Sequence, residues 1–303
     1  METKEINGIL YSSDAKTLLF CPKEHTGVVR IPFGVQNIAD GAFQGCKGVT
    51  DVIIPDSVVR ISTNAFTGSS IKDVIIPNSV TEIGRSAFSC CSCLVSVVLS
   101  QNLTQIRENL FFECVNLKSV YIPEGVECIE SFAFTRCESL LWIDLPSTLK
   151  TIGSYAFKNC KSLENVAIPK GVALIDTHTF DSCIRLQGVT IPEGVWRIES
   201  YAFNGCENLS NVSLPITLTS IAVGAFCDCK NLATIFIPKG VEKIGNEIAH
   251  RERGEFAFYC EGEESEKWSG FWSRLTSSKG RGIMATVNFN VPRWWYEKFI
   301  QTT

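Results

Sequence analysis

The chain has 303 residues, 45% hydrophobic and 20% charged, proportions that exclude a disordered polymer and fit a chain able to bury a core. Its 28 Lys and Arg stand against 32 Asp and Glu, a net charge of −4 with no long basic run, so nothing marks a footprint for nucleic acid or an anionic membrane surface. No apolar run approaches the ~20 residues of a membrane helix, and residues 1–20 lack the unbroken apolar core of an export signal. These features predict a soluble chain without membrane insertion, cytoplasmic if Met1 is the native start.

In chain order, Ile9 to Tyr11 and Thr17 to Phe20 read as two short strands around the polar turn Ser12 to Lys16. This β-hairpin, within a cap assigned to residues 1–27, is expected to cover the open edge of the first repeat.

From residue 28 to 244 the sequence copies one unit about nine times, most clearly in Leu186 to Asn208. In that copy Leu186, Val189 and Ile191 form an apolar Leu-x-x-Val-x-Ile pattern whose last two members alternate with Thr190, as in a strand with one face buried. Pro192, Glu193 and Gly194 stop the strand and turn the chain. Val195 and Ile198 re-enter the interior, and the spacing of Ala202, Phe203 and Cys206 predicts one short helical or 3₁₀ turn. One such coil cannot bury its own apolar groups, so the copies must stack as a solenoid of short parallel strands.

The Phe column runs 43, 66, 88, 111, 134, 157, 180, 203 and 226, in steps of 23 with a single step of 22. The short step follows Phe66, where Thr67-Gly68-Ser69-Ser70 replaces the Cys-bearing turn, and a local distortion is expected there. At Leu99-Ser100 the proline is missing, although the register survives. After Ile244 the pattern decays: Ile248, Ala249 and Glu252 stand where Ala225, Phe226 and Cys229 stood one period earlier. Counting 23 from Ile235 and Ile237 reaches Phe258 and Cys260, which makes 256–260 a further strand. Residues 245–303 therefore read as a degenerate last coil and a C-terminal cap rich in aromatics: Trp268, Phe271 and Trp272, a strand over Thr286 to Val291, then Trp294, Trp295 and Tyr296.

Fourteen cysteines would suggest a disulfide scaffold, but Cys91, Cys114, Cys137, Cys160, Cys183, Cys206 and Cys229 recur every 23 residues and Cys46 shares their column. A thiol at one place in every coil is a core group, a small apolar side chain with a weak donor for a turn carbonyl, and is expected to be reduced.

Chemistry is sparse. His25, His178 and His250 lie far apart along the repeat, without a Ser, Cys or carboxylate partner at motif spacing, so no catalytic residue is assigned and the chain is not expected to be an enzyme. Cys90-Cys91-Ser92-Cys93 and Cys227-Asp228-Cys229 each commit one sulfur to the core and leave too few ligands for zinc; no metal or cofactor is expected. Gly280 to Ala285 precedes a strand where a dinucleotide loop would follow one. The acids from Glu261 to Glu266 read as a solvated loop.

The outward side chain between the two inward strand residues is more informative. Its column reads Arg30, Ile53, Ile75, Val98, Tyr121, Asp144, Ala167, Thr190, Ser213 and Phe236. Ile53, Ile75, Val98 and Tyr121 are successive, Trp142 enters from the neighbouring column, and Asp144 ends the run. These six residues are the candidate partner-binding set, an apolar stripe roughly 20 Å long by strand spacing.

The unit Leu-x-x-Val-x-Ile-Pro-x-Gly/Ser-Val-x-x-Ile-Gly-x-x-Ala-Phe-x-x-Cys, as in Leu163 to Cys183, resembles the BspA-type (Treponema pallidum-type) leucine-rich repeat, and the segments INGILYSSDAKTLLFCP and FYCEGEESEKWSGFW resemble terminal segments of such proteins. The resemblance implies a leucine-rich-repeat solenoid of the α/β class, a single right-handed curved domain with N- and C-terminal caps. It also implies a cell-surface or secreted bacterial protein that binds host or bacterial proteins; the outward column places that partner on the concave face, and the chain is expected to be a monomer or weak homodimer. The missing export signal favours a second reading, an intracellular scaffold or regulatory protein. A third is saccharide binding through Trp268, Trp272, Trp294 and Trp295.

Overall fold

A computed structural model describes residues 2–250, 255–261 and 284–293. The chain forms two compact units, Met1–Leu163 and Glu164–Thr303. Each is a leucine-rich-repeat solenoid of parallel strands, two per coil: one in a front sheet and one, usually of two residues, in a back sheet.

In the first unit, β1 (Thr3–Ile6), β2 (Ile9–Ser12) and β3 (Thr17–Phe20) form an antiparallel meander. The front sheet is built from β4 (Gly27–Arg30), β6 (Val49–Ile53), β8 (Asp73–Ile75), β10 (Ser96–Val98), β12 (Ser119–Tyr121) and β14 (Trp142–Asp144), all parallel. The back strands are β5 (Asn37–Ile38), β7 (Arg60–Ile61), β9 (Glu82–Ile83), β11 (Gln105–Ile106), β13 (Cys128–Ile129) and β15 (Thr151–Ile152). The N-terminal strands cover the first coil on one side only: β3 pairs with β5, while β4 is the terminal strand of the front sheet.

In the second unit the back strands are β16 (Leu174–Ile175), β18 (Arg197–Ile198), β20 (Ser220–Ile221) and β23 (Lys243–Ile244). The front of that unit holds β17 (Gly188–Thr190) paired with β19 (Asn211–Ser213), and β22 (Thr234–Ile237) paired with β25 (Glu255–Cys260) and then β26 (Met284–Asn288). The register expected from the period is present: Ile235 faces Phe258 and Ile237 faces Cys260. Between β21 (Phe226–Cys227) and β24 (Ala249–His250), Phe226 faces Ala249, the residue that replaces the lost ring. Asn165 to Ile168 keeps the strand alternation in its burial but enters no ladder.

The interior repeats one layer. The Phe rings stack with centroids 4.9 Å apart at Phe43–Phe66, 5.4 Å at Phe111–Phe134 and 5.3 Å at Phe134–Phe157, and in the second unit 5.3 and 5.4 Å along Phe180, Phe203 and Phe226. These spacings sit close to the separation of neighbouring strands, so each ring rides on its own coil in contact with the next. The one-residue deletion leaves the stack unbroken, Phe66 and Phe88 being 5.0 Å apart and nearly parallel. The deletion shows instead in the front sheet, where β6 and β8 are registered by the single pair Asp51–Asp73. Where the proline is missing, Ser100 is buried and its hydroxyl donates to Val80 O at 2.6 Å, back to the preceding coil.

The Ala-Phe turn contains i to i+3 hydrogen bonds, such as Gln44 N to Gly41 O and Cys46 N to Phe43 O, but it is not a helix. In every one of the nine turns the residues two before and two after the Phe have positive φ, from Gly41 and Gly45 through Tyr155 and Asn159 to Gly224 and Asp228. The reason lies in the amides. At Phe88, for example, Ser86 N, Phe88 N and Cys90 N donate to Glu108 O, Leu110 O and Phe112 O of the next coil. Alternating left- and right-handed residues aims every second N–H along the stack, as in a parallel ladder, whereas a helix would aim all of them along its own axis. The left-handed conformation costs a non-glycine residue about 1–2 kcal/mol, which the two strands and the ring stack of each coil offset.

All fourteen cysteines are free thiols, and ten of them are buried. The column thiols donate one coil back: Cys91 to Phe66 O and Cys114 to Phe88 O at 3.0 Å, Cys137 to Phe111 O at 3.2 Å, and Cys206 to Phe180 O and Cys229 to Phe203 O at 3.1 Å. Ser69 occupies the column in the shortened coil and lies 3.5 Å from Cys91 Sγ. Burial pushes the thiols of Cys114, Cys137, Cys160, Cys206 and Cys229 well above the ordinary range, and that of Cys91 up to about 11.

One expectation about histidine is corrected. His178 does have a carboxylate partner: its Nδ1 lies 2.7 Å from Oδ2 of the buried Asp181, whose Oδ1 accepts from Ser182 Oγ at 2.8 Å and Asn204 Nδ2 at 3.0 Å. The ring also stacks on Tyr201 at 5.0 Å. Both Asp181 and Ser182 are spent on this network, and the Ser hydroxyl points at the carboxylate, away from the imidazole, so the group is a structural clamp within the turn.

Two results are expected. Ser86, at φ 55°, is a left-handed position with no side-chain hydrogen bond described. Ser86→Gly will raise stability by up to about 1 kcal/mol and Ser86→Val will lower it by more than that, read from denaturant midpoints. For the thiols, Ellman titration of the native protein at pH 8 will detect no more than the four partly exposed cysteines Cys90, Cys93, Cys128 and Cys227, and all fourteen in guanidinium. Because the thiols of Cys91, Cys114, Cys137, Cys160, Cys206 and Cys229 are held protonated by burial when native but ionise near pH ~8.5 once unfolded, the unfolded state binds fewer protons above that pH. Stability must then fall from pH 8 to 9.5, and a flat profile would contradict the assignment.

Candidate partner-binding face

A parallel strand presents alternate side chains to one side, so each front strand of the first unit places two outward residues in two columns. One column reads Val28, Asp51, Asp73, Ser96, Ser119 and Trp142; the other reads Arg30, Ile53, Ile75, Val98, Tyr121 and Asp144. The intervening residues, Val52, Val74, Val97, Val120 and Ile143, are buried. Their burial fixes the face on which the outward residues stand, since a slip of one residue would exchange the two sets.

The sequence-derived set lies together on this face. Ile53, Ile75, Val98, Tyr121 and Trp142 are exposed to 45%, 68%, 55%, 49% and 52%. Trp142 stands opposite Ser119 and diagonal to Tyr121, and Asp144 stands opposite Tyr121 at the end of the run. Five large apolar side chains on adjacent strands, each about half exposed or more, make one continuous surface.

A groove of about 670 Å³ crosses β6, β8 and β10 between Ile53, Ile75 and Val98 and the carboxylates Asp51, Asp56 and Asp73. These acids were missed in the sequence because only the second column was followed; reading the first column would have found Asp51 and Asp73. Asp73 Oδ1 accepts from Ser96 Oγ at 2.5 Å. Among the described residues no ion pair reaches Asp51, Asp56 or Asp73. Elsewhere in this unit neighbouring coils pair their charges, as in Arg60–Glu82, Arg107–Glu130, Arg136–Glu113 and Lys150–Glu127.

The outward column of the second unit is different. Ala167, Thr190 and Ser213 are small and, with Asn165, Gly188 and Asn211, line a groove of about 770 Å³. Arg293, which follows β26, lines the same groove and donates from Nη2 to Leu214 O at 3.1 Å. Phe236, placed outward by the period, is 5% exposed. Alternation tells which side of a strand a residue takes and is silent about what the chain later lays on that side.

Among the described residues no group of three or more His, Cys, Asp or Glu could hold a metal ion, and no helix is long and apolar enough to cross a membrane. Trp268, Trp272, Trp294 and Trp295, Glu263 to Glu266 and Gly280 to Ile283 lie outside the described residues.

The profile described as BspA type leucine rich repeat region matches residues 19–141 and 127–252, in six copies. Similar solved structures include a leucine-rich repeat protein from Eubacterium ventriosum ATCC 27560, with 27% identity and a TM-score of 0.55 over 70% of this chain and 50% of that one. A leucine rich cell surface protein from Faecalibacterium prausnitzii A2-165 has 29% identity and a TM-score of 0.50 over 82% of this chain and 63% of that one. The chain thus spans half the length of the first and less than two thirds of the second. A leucine-rich repeat protein from Bacteroides ovatus ATCC 8483 shares the fold at 19% identity, with a TM-score of 0.59 over 93% and 96% of the two chains. A search of curated protein sequences found no match. With the repeat profile spanning most of its length and the same coil seen in its structure, the chain belongs to the BspA-type leucine-rich repeat family.

Proposed function

We propose that the chain is a non-enzymatic interaction module that docks a protein partner on the front face of its first unit. The observation that carries this reading is the run of five exposed apolar side chains, Ile53, Ile75, Val98, Tyr121 and Trp142, on successive strands of one sheet. Burying such side chains contributes about 1.5–3 kcal/mol each before the costs of association, enough for a specific contact if a partner covers several of them. Tyr121 and Trp142 are the anchors, because large rigid rings lose little entropy on docking and dominate binding energy at interfaces. Asp144 lies at the rim. The family and the cell-surface naming of the Faecalibacterium relative support a role in adhesion or contact with host or bacterial proteins.

The test is a paired capture experiment. Wild type and an Ile75→Asp/Tyr121→Ser variant are immobilised and exposed to host matrix and to bacterial surface extract, with Arg85→Ser, which lies off this face, as a control. Proteins held by wild type and by the control will be lost from the double variant. If all three chains retain the same proteins, the face is not the docking surface. Sedimentation run alongside separates docking of a second copy from docking of another protein. The variant will remain folded: Ile75→Ser, on an exposed side chain, will shift stability by no more than about 0.5 kcal/mol, whereas Val74→Ser, in the core, will cost about 2 kcal/mol or more.

A further inference from the structure

Resting on that reading, we infer that the stripe from Ile53 to Trp142, with the acid-lined groove over β6, β8 and β10 at its one end, selects an extended segment about six residues long that carries Lys or Arg among apolar side chains. The floor is apolar, formed by Ile53, Ile75 and Val98, and the charged side chains around it are Asp51, Asp56 and Asp73; no Lys, Arg or His lines the groove. Asp51 and Asp73 face each other in direct register on neighbouring strands. Like charges directly opposite across a strand pair destabilise it, and among the described residues only the Ser96 hydroxyl, on Asp73, relieves this pair. Elsewhere in the unit the chain places a cation opposite such acids, as at Arg60–Glu82 and Lys150–Glu127. The front face leaves the cation to be supplied from outside.

The chemistry of that cation is set by the floor. A bare metal ion would lack ligands, since no cluster of three donors is present among the described residues. A Lys or Arg side chain fits better, because its methylenes cover Ile53 and Ile75 while its head reaches the carboxylates. The stripe from Ile53 to Trp142 crosses four strand spacings, about 19 Å, which an extended chain covers in about six residues. Arg30, at the far end of the same column, and Lys72, at the start of the β8 segment, stand outside the groove lining and would repel a segment that overran it.

The experiment uses the full chain and dye-labelled, end-blocked hexapeptides: Lys-Val-Arg-Val-Lys-Val, its Glu counterpart with every cation replaced, and its Ser counterpart with every Val replaced. Fluorescence anisotropy is read at 50 and 500 mM NaCl. The cationic apolar peptide is expected to bind at least tenfold tighter than either counterpart and to weaken with salt. Asp51→Asn/Asp73→Asn is expected to bind it about tenfold more weakly while unfolding at a higher denaturant concentration, because the internal repulsion is gone; a merely structural role for the two acids would not move both readouts in those directions. Equal binding of the Lys and Glu peptides, or an unchanged affinity in the Asn variant, overturns the inference. If the Ile75→Asp/Tyr121→Ser variant loses its captured proteins while the Asn variant keeps them, the docking face stands and the cationic preference falls. If the apolar double variant loses nothing, both readings fall.

Discussion

The constraint on which the structure depends is that a turn's amides must find carbonyls in the next coil. A strand meets this condition through its own geometry, but a turn does not. In this chain the turn meets it by alternating handedness, so that Ser86, Phe88 and Cys90, and their equivalents in the other coils, send N–H groups along the stack while the residues between them close i to i+3 bonds within the coil. Coil after coil can then be laid down at strand spacing, and the inward residues have no choice of place. The stacked Phe rings and the thiols that point one coil back result from that spacing.

The apolar skeleton could be read from the sequence because it repeats. A period of 23 located the inward apolar columns of the coils, the strand at Phe256 to Cys260 and the ring lost at Ala249. The handedness of the turns could not be read. Its positions hold Asn, Ser, Cys, Glu, Phe, Arg, Tyr, His and Asp as well as Gly, so composition gives no signal, and the requirement comes from hydrogen bonds to a neighbour 21 or 22 residues away. The His178–Asp181 clamp escaped for a similar reason: a pair three residues apart is common in any chain, and its meaning lies in the burial of Asp181 and in the reach of Asn204 from the next coil.

The candidate face was half readable. Following one outward column found Ile53, Ile75, Val98 and Tyr121, and their exposure places them side by side on one sheet. The carboxylates beside them belong to the other column and to the turn after Ile54-Pro55, and they acquire significance only once register sets Asp51 against Asp73. Alternation also misjudged Phe236, which stands on the outward side yet is buried. Side and exposure are different quantities: the first is local, and the second depends on segments distant in the chain, as the contact of Arg293 with Leu214 illustrates.

The row of column thiols carries a further consequence. Seven of its sulfurs, those of Cys46, Cys91, Cys114, Cys137, Cys160, Cys206 and Cys229, hold their protons on backbone oxygens, and no covalent cross-link ties one coil to another. The fold therefore does not draw its cohesion from any redox couple. Moving the protein between an oxidising and a reducing medium should leave the column thiols, and the packing they belong to, as they are; an oxidant meets only the four partly exposed cysteines outside the column. Cysteine abundance, often taken as a mark of dependence on the chemical surroundings, here belongs mostly to a core sealed from them.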